Sequence, residues 1–265
     1  MKLKDFLDEL VIKYEVSEFI KDDPVQFPHK FQDFKDIEIA GLIASSFAYG
    51  KRDKIIETVN KILIVMENEP YNFVNNFNIE KDAKLFEGFC YRYNSGGDII
   101  LLIESLRKAY NEYNSLEKLF LKEYSEEHKN IKPALNSFVN ELRDFAPDGY
   151  NPKGFYFLLP SPLRESACKR LNLFLKWMVR KQPVDLALWK SVKPSQLIMP
   201  LDVHVAKQSR KLGLTQRKAD DWKTAEEITD RLRQFDAEDP VKYDFAIFGM
   251  GVYKDLPDFS DIELN

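Results

Sequence analysis

The stretch L-P-S-P-L-R-E-S-A-C-K-R-L-N-L-F-L-K-W-M-V-R-K (residues 159–181), followed by M-P-L-D-V-H-V-A-K-Q-S-R-K-L-G (residues 199–213), organises the whole chain. A Pro-rich turn feeds a helix. On it Ala167, Leu171, Phe174, Leu175 and Met178 share an apolar face, while Lys169, Leu173, Lys176 and Arg180 share a largely basic one. Past a Trp-containing linker, Asp202 stands ahead of a second basic helix over residues 203–212, with Gly213 as its stop. Residues 164–218 hold thirteen Lys and Arg against three acids (Glu165, Asp185, Asp202), a local charge of +10 in a chain of net charge −4. A polycationic segment in an otherwise acidic protein is the footprint expected for a polyanion, although basic helix faces also serve as plain solvated surface.

Outward from this stretch the spacing stays helical. Leu3, Phe6, Leu7, Leu10, Val11 and Tyr14 make one stripe, and Ile55, Ile56, Val59, Ile62, Leu63 and Met66 make another. Asp36 reads as the N-cap of a helix over 37–48 that Gly50 ends, and Leu85, Phe86 and Phe89 mark a further helix. Asp98 reads as the cap of a helix over 99–110, and Ser115 as the cap of a short one. Residues 122–132 read as an exposed connection, Asn151-Pro152 as a turn, and 155–159 as an apolar run entering the Pro-rich turn. Thr224 with Glu227 has capping-box spacing, and Asp239-Pro240 places a cap and an N1 proline before a helix over 241–248 that Gly249 ends. No useful period-2 alternation and no 30-residue repeat is present. The expected class is all-α.

Ten glycines in 265 residues argue against a turn-rich all-β protein, and twenty Phe and twelve Tyr supply core volume. Cys90 and Cys168 lack metal-ligand spacing, so no metal and no cofactor is implied. The charged N-terminus carries no signal-peptide apolar core, and no window approaches the ~20 apolar residues of a membrane span. A cytoplasmic setting and no membrane partner follow as expectations.

Two residues carry the candidate chemistry. Asp202 is first of all an N-cap by position. A carboxylate at a helix N-terminus that also faces a cleft can stabilise a developing cation or accept a proton from water. Lys169 is an ordinary helix-start lysine unless burial and neighbouring cations such as Arg170 lower its proton affinity, which makes it a nucleophile. His204 is a core or phosphate contact. Arg170, Lys176, Arg180, His204, Lys207, Arg210 and Lys211 are the candidate nucleic-acid contacts. Tyr49-Gly50-Lys51-Arg52 is a weaker phosphate-binding candidate.

The run S-A-C-K-R-L-N-L-F-L-K-W-M, then P-L-D-V-H-V-A-K-Q-S-R-K-L-G and later F-A-I-F-G-M-G, resembles the helix–hairpin–helix DNA glycosylase superfamily. In that superfamily an L-P-G-x-G-x-K hairpin leads a helix, and a V-D-x-x-V segment supplies an aspartate at the next helix start. Residues 165–169 occupy the G-x-G-x-K slots. By this resemblance Lys169 matches the lysine that attacks the sugar C1′ in bifunctional members, and Asp202 the aspartate that nearly all members require. The thirty-three-residue spacing from Lys169 to Asp202 is similar to that of the archaeal 8-oxoguanine branch. A-G-L-I-A-S-S-F-A-Y-G resembles an early glycosylase helix, and F-C-Y-R-Y resembles a "G-Y-R" helix start. The chain as a whole, over residues 37–253, looks closer still to an uncharacterised bacterial family allied to that superfamily. It departs from the superfamily pattern where Glu165 and Ala167 replace both hairpin glycines and where the Gln-rich turn is missing.

The resemblance implies a single glycosylase-like unit over 1–265 with two interdigitated subdomains, a helical barrel over 40–190 and a second half of 1–35 plus 195–265. It implies duplex, damaged DNA as partner and excision of a flipped base, with Lys169 forming a Schiff base and Asp202 stabilising the oxocarbenium-like state. The alternatives are a nucleic-acid-binding module that does not cut, suggested by the replaced glycines, and a protein-interaction scaffold whose basic helices dock an acidic partner.

Overall fold

The structure, a computed structural model, describes residues 1–149, 153–164, 166–181 and 183–252. Helix covers 65% of the described residues, and the one sheet among them is a pair of two-residue antiparallel strands. The fold is therefore all-α. In chain order the elements are α1 (Leu3–Tyr14), α2 (Phe34–Ser46), α3 (Arg52–Val65), α4 (Pro70–Asn76), α5 (Ile79–Asp82), β1 (Cys90–Tyr91) and β2 (Asn94–Ser95). They continue with α6 (Gly96–Tyr113), α7 (Leu116–Leu121), α8 (Lys132–Asp144), α9 (Lys153–Leu158), α10 (Lys169–Val179), α11 (Val203–Lys211), α12 (Trp222–Arg233) and α13 (Tyr243–Val252). Short 3-10 turns punctuate them. The expected turn at Asn151-Pro152 and the hairpin slot at Glu165 lie outside the described residues.

The chain divides into two compact units. One joins Met1–Asp22 and Glu126–Ile131 to the chain from Pro162 onward; the other comprises Asp23–Ser125 and Lys132–Ser161. The N-terminal helix thus joins the C-terminal helices across the sequence. Residues 162–190 belong to the first, discontinuous unit, the one that carries α1.

In the second unit, Asp23–Ser125 with Lys132–Ser161, α2 and α6 are central. Every residue of α2 from Ile37 to Ser46 is buried, which its Ala40, Gly41, Ala44, Ser45 and Ser46 allow by letting neighbouring helices approach closely. Its Glu38 is nevertheless a buried acid. It caps α7, accepting from Leu116 N and Glu117 N at 3.0 Å each, and it accepts from the Tyr110 hydroxyl at 2.9 Å. A buried carboxylate persists only with such a full set of donors.

In the discontinuous unit α13 packs against both α1 and α11. Its residues from Tyr243 to Ile247, with Gly249 and Met250, are buried, as an all-round apolar helix must be. Gly249 lies inside α13 rather than ending it. A Cβ there would meet the Tyr14 ring of α1 at 2.4 Å, so the glycine is the seat of an aromatic ring.

Several caps differ from the sequence reading because a nearby residue of capping type took the position. Asp33, not Asp36, caps α2, and Asp36 accepts instead from Tyr71 N at the start of α4. Ser95 caps α6, with Asp98 completing the capping box at the third position. Asp221 caps α12, one turn ahead of Thr224. Phe89 lies outside any helix, residues 83–86 form only a 3-10 turn, and residues 153–158 form α9. Ser115 caps α7 as read. Among the described residues no helix is long and apolar enough to cross a membrane.

Candidate functional site

The site begins where the chain turns into α10. A 3-10 turn over Pro162–Arg164 leads to Ser166, which forms an isolated antiparallel bridge with Asp221. Cys168 N donates to Ser166 Oγ at 3.2 Å, and Asn172 Nδ2 donates to Ala167 O at 3.0 Å. Cys168 itself adopts the left-handed conformation (φ 47°, ψ 34°), a region a non-glycine residue occupies at an energetic cost. The left-handed residue therefore falls on Cys168, between the slot held by Ala167 and the helix. Lys169 is the first residue of α10 and is half-buried.

Asp202, in the same unit, is the N-cap of α11, with extended backbone (φ −114°, ψ −178°). Its Oδ1 accepts from both His204 N and Val205 N at 2.9 Å. Its Oδ2 accepts no hydrogen bond among the described residues, and the residue is half-exposed. One oxygen thus holds the helix start, and the other is available to a ligand. Beside it Val203 is 69% exposed, and His204, Lys207 and Lys211 are also exposed. His204 is held against α13, where a Cβ on Gly251 would meet the His204 Cβ at 2.9 Å.

The basic face of α10 requires correction. Lys176 and Arg180 are 2% and 1% exposed, and Arg170 is also buried. Lys176 Nζ pairs with Asp244 Oδ2 at 2.7 Å and sits 3.5 Å from the centroid of the Phe245 ring. Arg180 Nε lies 2.8 Å from Asp239 Oδ1 and 3.0 Å from Oδ2, while its Nη1 reaches Asp185 Oδ2. These two cations point into the protein because carboxylates distant in sequence await them there. Neither is placed to meet a phosphate. Arg210 is also engaged, by the carbonyls of Arg217 and Lys218 and by Asp220. Of the seven candidate nucleic-acid contacts, His204, Lys207 and Lys211 remain on an exposed face, all on α11.

The buried pairs carry the strongest local electrostatics. Burial raises the Asp185 carboxyl to about 6, with Lys176 and Arg180 opposing and Glu15 reinforcing the rise. Among the described residues no group of three or more His, Cys, Asp or Glu side chains gathers as metal ligands would.

A second feature lies in the unit of Asp23–Ser125 and Lys132–Ser161 and has no counterpart in the helical pattern of the sequence. β1 and β2 form a hairpin with Arg92 and Tyr93 at its tip, Arg92 with φ 53°, so F-C-Y-R-Y begins a strand turn and α6 starts only at Gly96. Tyr93 is 67% exposed. Its ring stacks with Tyr49 (centroids 6.5 Å) and meets Phe157 edge-on at 5.3 Å, with Arg92 5.7 Å from its centroid. Gly50 permits the cluster, because a Cβ there would meet the Tyr91 hydroxyl at 2.9 Å and Arg92 Nη1 at 3.1 Å. The local signal was Tyr49-Gly50 with Tyr91-Arg92-Tyr93, but the pairing spans some forty residues of chain and no helical period announces it.

An all-α protein of two helical units, with a half-satisfied carboxylate capping one helix, is the class these features define. Residues 23–253 match the family described as Protein of unknown function (DUF2400), and the chain belongs to that family. No curated protein and no solved structure matches the chain.

Proposed function

We propose that this protein is a DNA glycosylase/lyase of helix–hairpin–helix type, which takes a damaged base from duplex DNA. The observation that carries the reading is Asp202: one carboxylate oxygen fastens the start of α11 while the other is left for a ligand, beside three exposed cationic or ionisable side chains. A fixed carboxylate of this kind stabilises positive charge developing on a sugar as its base departs. His204, Lys207 and Lys211 on α11 supply the phosphate contacts, which position DNA without reading its sequence.

Lys169 supplies the nucleophile. Its Nζ, as the free amine, bonds to C1′ while the C1′–base bond breaks and its electron pair leaves with the base. Loss of a proton from nitrogen and opening of the sugar ring give the Schiff base. Borohydride present during incubation with abasic or lesion-bearing duplex traps that species as a covalent adduct. Lys169→Gln abolishes trapping with binding retained. Absence of adduct and of base release across a broad lesion panel overturns the reading.

A second reading, nucleic-acid binding without cleavage, is favoured by the Tyr93–Arg92 hairpin. Exposed aromatic faces with an adjacent guanidinium are what unstacked bases and phosphates require. Tyr93→Ala and Arg92→Ala then weaken binding to single-stranded oligonucleotides in a chain that gives no adduct.

A further inference from the structure

One cluster in the discontinuous unit gathers more carboxylates than cations. Two cations of α10, Lys176 and Arg180, face four carboxylates: Glu15 at the C-cap of α1, Asp185, Asp239 and Asp244 of α13. The cluster therefore carries two negative charges in excess if all four acids ionise. Two of the four are well served. Asp239 takes Arg180 Nε with both oxygens, and Asp244 takes Lys176.

The other two share what remains of Arg180. Nη1 donates to Asp185 Oδ2 and lies 3.0 Å from Glu15 Oε1, close enough to pair but not aligned to hydrogen-bond. Asp185 Oδ1 and Glu15 Oε1 are both buried with no hydrogen-bond partner among the described residues. An acceptor left bare in a dry interior is costly, and two like charges against one guanidinium Nη cannot both be compensated. A proton on one carboxyl removes one excess charge and converts a bare acceptor into a donor.

We propose that Asp185, which shares the Arg180 Nη1 with Glu15, carries a proton, and that this proton latches the C-terminal end of α1 onto its unit. The groups facing the pair are those named: Lys176 and Arg180 from α10, Asp239 ahead of the 3-10 turn at Pro240–Lys242, and Asp244 from α13. The upward shift of the Asp185 carboxyl, caused first by burial, has the sign this requires. The latch has a position in the chain that makes it informative. The family match begins at residue 23, one residue past the Met1–Asp22 segment that carries α1. Asp8 pairs with Lys242 at 3.3 Å and accepts from the Tyr243 hydroxyl at 3.0 Å, and the Tyr14 ring rests on Gly249. These contacts do not depend on the proton, so its loss loosens the Glu15 end rather than releasing the helix.

The test is hydrogen exchange of the full-length chain at pH 5 and pH 7.5, corrected for intrinsic rates, reading the amides of residues 11–16 against those of α6. In the wild type, protection of 11–16 falls about tenfold at the higher pH, as expected when a group titrating near 6 loses its proton, while α6 is unchanged. Asp185→Asn removes the titrating carboxyl and Glu15→Gln removes the negative charge that an ionised Asp185 repels, so each removes the dependence. Should Asp185→Asn fail to fold, Glu15→Gln, at the more exposed partner, reads the same latch. A wild type whose 11–16 protection is the same at both pH values, or a Glu15→Gln variant that keeps the full dependence, overturns the proposal.

Discussion

Replacing Asp202 by Asn and by Ala separates its two roles, because one carboxylate oxygen is structural and the other is spare. Asn keeps an acceptor at the Oδ1 position for His204 N and Val205 N, and Asn ranks with Asp as an N-cap. The cost to stability of Asp202→Asn is therefore a few tenths of a kcal/mol. Ala removes both bonds and costs about 1 kcal/mol, which lowers the melting temperature by about 2–4 °C in a chain of this size. The chemistry runs the other way. Both variants remove the negative charge, so both slow base release by about 100- to 1000-fold, the usual scale for losing one preorganised electrostatic group. The assay pairs a thermal melt with single-turnover base release under saturating enzyme. An Asn variant with wild-type release, or one that melts as low as the Ala variant, refutes the division of labour between the two oxygens.

Other consequences follow from the same geometry. Lys176→Met strands the Asp244 carboxylate and costs about 3–5 kcal/mol, whereas Lys176→Met with Asp244→Leu recovers most of it; chemical denaturation of the single and double variants checks this. Gly249→Ala drives a methyl into the Tyr14 ring and destabilises by about 1–3 kcal/mol, outweighing the roughly 1 kcal/mol of helix propensity that alanine supplies. Lys207→Gln with Lys211→Gln lowers DNA affinity at all sequences and reduces the log–log salt slope by roughly 0.9 for each phosphate no longer neutralised, while Lys176→Gln leaves that slope unchanged in whatever fraction folds. The Asp185 carboxyl has a folded-state value raised to about 6 from 3.8. Its contribution to stability is thus complete below about pH 4 and lost as pH rises through about 6, with Asp185→Asn flattening the melting temperature over that window.

The all-α class was legible because amphipathic spacing is local. The stripes of α1 and α3 can be counted along the chain and appear as their buried faces. Cap identity was less legible, since Asp33 and Asp36, or Asp221 and Thr224, are equally good by residue type. What decides between them is tertiary: Asp36 has Tyr71 N to satisfy, and Arg217 holds Asp221 with an ion pair at 2.7 Å. Residues 155–159 read as an apolar run entering the Pro-rich turn, whereas residues 153–158 form α9, six residues long and buried at Phe155 and Leu158.

The candidate site divides along the same line. Asp202 could be placed from sequence because capping is a property of four consecutive residues, and α11 bears it out in position. The charge footprint could not be read this way. A count of thirteen cations over residues 164–218 records how many are present, not which way they face. By spacing alone Lys176 on α10 and Arg180 at its C-cap resemble any solvated basic stripe. Their partners Glu15, Asp239 and Asp244 lie 59 to 165 residues away or, like Asp185, in a linker with no regular period. Burial of these cations shifts the polyanion question from α10 to α11, where the exposed His204, Lys207 and Lys211 stand beside Asp202. A phosphate held there lies near the free carboxylate oxygen and is repelled by it. Binding should therefore tighten in Asp202→Asn even as base release slows. Tighter binding with slower turnover is the behaviour of a group used on the transition state rather than on the bound substrate. An Asp202→Asn variant that loses affinity and rate together would make the carboxylate a binding contact instead.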